Sequence, residues 1–130
     1  MNLENPPANP PIIWLIDSNH WERANIRALL IEHGFQVEGF VGILHAELML
    51  YREAVEKPDL IILELHGLDY GRPEVGEVTR LDAPVILLTG VFEEDRELLE
   101  KHKWAAVLRR PFTLGQVADV VLAQIGRSSD

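Results

Sequence analysis

A chain of 130 residues with a formal net charge of -9 and no cysteine has room for one ordinary domain and is short for two. The acidic balance repels phosphate backbones and anionic lipid, which argues against nucleic acid and membrane as partners; the Arg109, Arg110 pair is too small to reverse it. Without cysteine there are no disulfides, thiolate metal ligands or cysteine nucleophile, a composition that suits the cytoplasm.

Residues 1–11 are polar and proline-rich, lacking the basic start and apolar run of a signal peptide. They are expected to form a flexible leader before a single domain over residues 12–126, with a tail at 127–130. No apolar stretch approaches the roughly 20 residues that cross a bilayer. Residues 12–16 are continuously apolar, the pattern of a strand covered on both faces. Asn19 and Glu22 have the spacing of a helix-capping pair, and a helix is expected from there to about His33, burying Ile26, Leu29 and Leu30, with Gly34 in its closing turn. Residues 35–40 alternate as an edge strand does.

Leu44, Leu48, Tyr51 and Val55 fall at helical spacing, and Pro58 is expected to close that second helix. Residues 60–65 are another buried strand and carry Glu64 near the end. Val75, Val78 and Leu81 suggest a short third helix. Residues 85–89 form a further strand; Glu93, Glu94 and Asp95 then favour the N-terminus of a fourth helix running to about His102. Residues 105–108 read as the last strand. Thr113 and Gln116 repeat the capping spacing before Leu114, Val117, Ala118, Val121 and Ile125 line one face of a fifth helix.

Strands alternating with helices imply right-handed crossovers and a parallel sheet, with the edge-like second strand giving the order 2-1-3-4-5. Ligands of such sheets bind beyond the carboxyl ends of the strands, where the winding reverses. Those ends carry Asp17 and Glu64, with Thr89 and Arg110 on the neighbouring strands.

Four segments carry a resemblance to a known family: Leu15-Ile16-Asp17-Ser18; Pro58-Asp59-Leu60-Ile61-Ile62-Leu63-Glu64; Pro84-Val85-Ile86-Leu87-Leu88-Thr89-Gly90; and Arg110-Pro111-Phe112. In this order and spacing, from about Ile12 to Ile125, the chain resembles the receiver domains of two-component response regulators. The resemblance implies a flavodoxin-like, three-layer (βα)5 sandwich. In that family a phosphoryl group passes from a histidine kinase to an aspartate, with Mg²⁺ and a lysine neutralising its oxygens.

This chain departs from the pattern at the pocket. Asp17 matches the first residue of the family's acidic pair, but Ser18 stands where the second carboxylate belongs. Glu64 occupies the phosphoacceptor position and Arg110 replaces the lysine. Thr89, Gly90 and Pro111 match, and the peptide bond before that proline is usually cis in the family. Val107 stands at the aromatic switch position, so the coupling that reports phosphorylation is expected to be absent. Glu64, one methylene longer than aspartate, resembles a permanent mimic of the phosphorylated state. The change to Glu and Arg together also reads as a matched ion pair, because a guanidinium can bind a carboxylate bidentately.

Asp17 and Glu64 are the only carboxylates left for Mg²⁺, and the loss at Ser18 weighs against a metal or any other cofactor. His66, in the loop after the third strand, is more often neither acceptor nor ligand. Trp104 with Leu108 and Val120 would make an exposed apolar patch, unless Trp104 is partly buried under the last helix. The expectation is a pseudo-receiver of a bacterial-type pathway: a phosphorylation-independent interaction module and not an enzyme. Its partners would be a histidine kinase or other signalling proteins, or a second copy through the face of the fourth helix, fifth strand and fifth helix. The alternatives are a working receiver that accepts phosphate with Mg²⁺ and a small-ligand flavodoxin-like protein. Asp17-Ser18-Asn19-His20 lacks the phosphate loop the last would need.

Overall fold

In the computed structural model, which describes residues 9–65, 72–90 and 99–128, each of the five expected strand segments becomes a parallel strand. These are β1 (Ile12–Ile16), β2 (Gln36–Phe40), β3 (Leu60–Leu65), β4 (Val85–Thr89) and β5 (Ala106–Arg109), in the order β2-β1-β3-β4-β5. All six residues of β3 are buried, as its unbroken Leu/Ile run requires of a central strand covered on both faces. The edge strands β2 and β5 are mixed, with Glu38 half-buried and Arg109 exposed.

Alternation of side chains splits the core into two layers. Ile13, Leu15, Leu60, Ile62, Ile86 and Leu88 face α1 (His20–Glu32) and the last helix, α4 (Leu114–Ser128). Trp14, Ile16, Ile61, Leu63, Val85 and Leu87 face α2 (Ile43–Tyr51) and α3 (Pro73–Thr79). Asp59 ties the two central strands at their start, its carboxylate accepting from the Ile12 N–H at 2.8 Å and its own N–H donating to the Ile12 carbonyl at 2.7 Å. Helix α1 buries Ile26 and Leu30, leaves Leu29 half-buried and ends at Glu32, before Gly34 turns the chain at φ 91°.

Several expectations need correction. Helix α2 stops at Tyr51 instead of reaching Pro58, because Glu53 takes a left-handed conformation (φ 58°) and the Ala54 N–H closes back on the Met49 carbonyl. Its inward residues are also different. Ala46 is buried and Ile43, Met49 and Leu50 pack on the sheet, whereas Leu44, Leu48 and Tyr51 face out. Leu114 is exposed too, so the buried stripe of α4 begins at Val117. The last strand runs one residue later than expected, to Arg109.

Trp104 is half-buried, but with Leu99 against the α2–α3 layer, while Leu108 and Val120 belong to the α1–α4 layer. The sheet separates them, which rules out both their common patch and burial of Trp104 under the last helix. Of the helix expected over 93–102, residues 99 and 100 are helical; its start, the loop with His66 and the leader before residue 9 lie outside the described residues.

Candidate functional site at the strand ends

Parallel strands deliver their carboxyl ends to one edge of the sheet, and the register decides which side chains meet there. Ile16 pairs with Leu63, so Asp17, the next residue, is level with Glu64. Leu65 pairs with Thr89 and Thr89 with Arg109, which places Thr89 one step beyond Glu64. Arg110 follows directly, its N–H donating to the Thr89 carbonyl at 2.9 Å. Asp17, Glu64 and Thr89 are the buried polar side chains among the described residues. The Arg110–Pro111 peptide bond is cis.

The Arg110 guanidinium does not form a simple bidentate pair with Glu64. Its Nη2 lies 3.7 Å from Glu64 Oε2, within ion-pair range but too long for a hydrogen bond, and only 2.6 Å from Glu22 Oε2. The cation also sits 5.2 Å from the centre of the Phe112 ring, whose face supports it. One guanidinium therefore joins the first turn of α1, the end of β3 and the end of β5. Glu22 is the functional residue that the sequence pattern concealed. Its capping spacing accounted for it locally, although its place five residues after Asp17, on the helix leaving β1, already put it above the strand ends.

Helix α1 is capped by only half of the expected exchange. The Asn19 side chain accepts from the Glu22 N–H at 2.9 Å, but the Asn19 N–H donates to Asp17 Oδ1, at 2.8 Å, and not to Glu22. Arg23, one residue on, donates to the Asp17 carbonyl at 2.7 Å. Asp17 itself is wholly buried. Burial, then a side-chain hydrogen bond with Glu22, push its carboxyl up to about 8, and the charges of Glu22 and Glu64 add to the shift. At neutral pH it holds a proton. As a carboxylate its buried Oδ2 would meet no donor.

Asp17 and Glu64 are the strand-end carboxylates that a Mg²⁺ ion would share; Ser18 adds no charge beside them, and the Arg110 cation stands between Glu22 and Glu64. No cluster of three ligating side chains is arranged for a metal among the described residues. Ser18 is exposed and lines, with Glu64, a cavity of about 450 Å³ that opens toward the start of α2. Val107 lies on β5 opposite Leu87, below the pocket and partly exposed.

No family model matches the chain and no curated protein matches it by sequence. Solved structures do resemble it. The response regulator receiver domain protein from Clostridium thermocellum superposes with a TM-score of 0.70 at 23% identity, covering 92% of this chain and 97% of its own. A CheY-like response regulator from Mesorhizobium loti gives 0.72 at 18%, covering 89% and 99%. A response regulator receiver protein from Burkholderia phymatum gives 0.68 at 24%, covering 89% and 95%. The chain has the receiver fold over nearly its whole length.

Proposed function

We propose that this chain is a receiver-like signalling module whose strand-end pocket is held in one state by its own charges and works without phosphorylation. The observation that supports this best is the Arg110 bridge, at 2.6 Å to Glu22 and 3.7 Å to Glu64. A receiver's basic residue waits for an incoming phosphoryl group. Here the guanidinium in that position already has two carboxylates, and a phosphoryl group would have to displace them without the charge of a second acidic ligand beside Asp17. Glu64 at the acceptor position supplies a built-in negative charge in place of a transient one. On this reading the module signals by binding other proteins, such as a histidine kinase or a second copy, and transfers no group itself.

The test uses the full chain with Mg²⁺ and a small phosphodonor, and in parallel beryllofluoride, followed by intact mass and by amide shifts near Thr89. The expected result is an unchanged mass and unchanged shifts. Gain of a phosphoryl mass, or a beryllofluoride-dependent shift of Thr89, would overturn the proposal in favour of a working receiver. Glu64→Ala should alter melting or partner binding by releasing Arg110 from one of its carboxylates; a variant identical to the parent in both would also count against a locked pocket.

A further inference from the structure

Helix α2 is apolar nearly all round: of Ile43–Tyr51 only His45 and Glu47 are polar. A helix of that composition is normally covered on every side. Among the described residues only one side of α2 is covered, where Ala46 is buried and Ile43, Met49 and Leu50 pack on the sheet. On the other, Leu44 is 62%, Leu48 45% and Tyr51 85% exposed, at a spacing of four and three residues, and Val41, just before the helix, is 54% exposed. These four make a continuous apolar stripe. It runs into the 450 Å³ cavity, whose wall includes Val41, Leu44 and Val75 together with the carboxyls of Glu64 and Glu74.

The flank of the stripe toward α3 carries three carboxyls, Glu47, Glu74 and Glu77, with Arg72 on the wall of the adjoining cavity. Glu47 of α2 lies close to Glu77 and Glu74 of α3. Glu47 Oε1 and Glu74 Oε2 are buried without a hydrogen-bond donor, and among the described residues no Lys or Arg forms a salt bridge with the three. Partial burial and the neighbouring carboxyls push Glu47 up to about 7. A cation brought against this flank would relieve that repulsion.

We propose that the α2–α3 face docks an amphipathic segment of a partner protein, one that presents an apolar ridge to Leu44, Leu48 and Tyr51 and Lys or Arg to Glu47, Glu74 and Glu77. A second copy of this chain is the poorer occupant. Antiparallel pairing of two α2 helices about a two-fold axis keeps Glu47, near mid-helix, on the same side of both, so the acidic groups would oppose each other in a chain of net charge -9. A basic amphipathic segment meets both halves of the surface, in the manner of a helix laid in a groove. The inference goes beyond the reading of the strand-end pocket and stands whether or not that pocket can be phosphorylated.

The probe is a designed helical peptide with Leu at i, i+3, i+4 and i+7 flanked by Lys, set against the same peptide with Glu for Lys. Both are titrated into the isotope-labelled full chain. The Lys peptide should shift amides of residues 41–52 and 73–80, bind on the order of tenfold tighter than the Glu peptide, and weaken as salt rises. Leu48→Glu, an exposed change that leaves the far-ultraviolet circular dichroism intact, should abolish the effect. Glu47→Gln with Glu77→Gln should weaken the Lys peptide alone. Equal affinity for the two peptides, shifts located elsewhere, or no binding would overturn the proposal. So would a concentration-dependent dimer, seen by sedimentation, that Leu48→Glu dissolves.

Discussion

Helices α1 and α4 open with the same local pattern, Asn19-x-x-Glu22 and Thr113-x-x-Gln116, and close it in different ways. At α4 the exchange is complete: the Gln116 N–H donates to Thr113 Oγ1 at 3.1 Å, and the Thr113 N–H to Gln116 Oε1 at 2.7 Å. At α1 the second half is missing. Glu22 is drawn to Arg110, 88 residues away, while Asp17 Oδ1 takes over the Asn19 N–H. The difference lies in what surrounds each cap. Thr113 and Gln116 stand in solvent, where nothing competes with the backbone. Glu22 stands over the strand ends, where a guanidinium offers a charge-assisted bond about twice as strong as a neutral one. A capping residue diverted from its own helix therefore marks the place where tertiary electrostatics prevail over local preference.

The largest test of that contrast is Arg110→Ala. Removing one partner of a buried ion pair costs about 3–5 kcal/mol, but Arg110 is a third exposed and water can reach the carboxylates it leaves. A loss of about 2 kcal/mol is expected, visible as a melting point lowered by several degrees. A variant that melts with the parent would mean that Glu22 is a capping residue and nothing more.

Asp17→Asn probes the same cluster through pH. The folded chain keeps the Asp17 proton up to about pH 8, whereas an unfolded aspartate releases it near pH 4. Between those values the folded state binds the additional proton. The stability this group contributes is complete below about pH 4 and is lost as pH rises toward about 8. Asn keeps an acceptor for the Asn19 N–H and does not titrate. Thermal melts across that range should therefore show parent and variant diverging, with the variant gaining relative stability as pH rises. Parallel curves would place Asp17 among ordinary carboxylates.

The same contrast explains what the sequence shows and what it hides. Continuous runs such as Leu60 to Leu65 announced the central strands, and with the helices between them the order of the sheet followed from right-handed crossovers. Val117, Val121 and Ile125 gave the inward face of α4 by their four-residue spacing, with the polar Asp119 and Gln124 marking the other sides. Helix α2 offered no such contrast: with apolar residues on all sides, the stripe of Leu44, Leu48 and Tyr51 was as periodic as the buried side, and periodicity selected the exposed one. For Trp104 the missing information was its sheet face, which depends on where β5 begins. At the site, topology alone brought Asp17, Glu64, Thr89 and Arg110 to one edge. Glu22 stayed hidden because a local role already accounted for it, although its place on the helix leaving β1 set it over the strand ends that the register of β1 against β3 brings together.

The effect at the intact cap should be smaller. Thr113→Ala removes the acceptor for the Gln116 N–H and should cost about 1 kcal/mol in chemical denaturation. The pH dependence should not change, since no titrating group lies in that exchange.

The smallest effect, and the sharpest comparison, comes from Gln116→Ala beside Glu22→Ala. Both remove the fourth residue of a capping pattern. At α4 the freed Thr113 N–H is exposed and turns to water, so the net loss is only the difference between two hydrogen bonds, roughly 0.5 kcal/mol. At α1 the Asn19 N–H is already held by Asp17, and no capping bond is lost. What is lost instead is the 2.6 Å contact with Arg110, worth roughly 1.5 kcal/mol at a partly buried site. The Glu22 variant should also lower the pH at which Asp17 titrates, because the shared hydrogen bond and the neighbouring charge that raise it are both gone. Equal costs with an unchanged Asp17 titration would return Glu22 to the cap; unequal costs with a lowered titration assign it to the pocket.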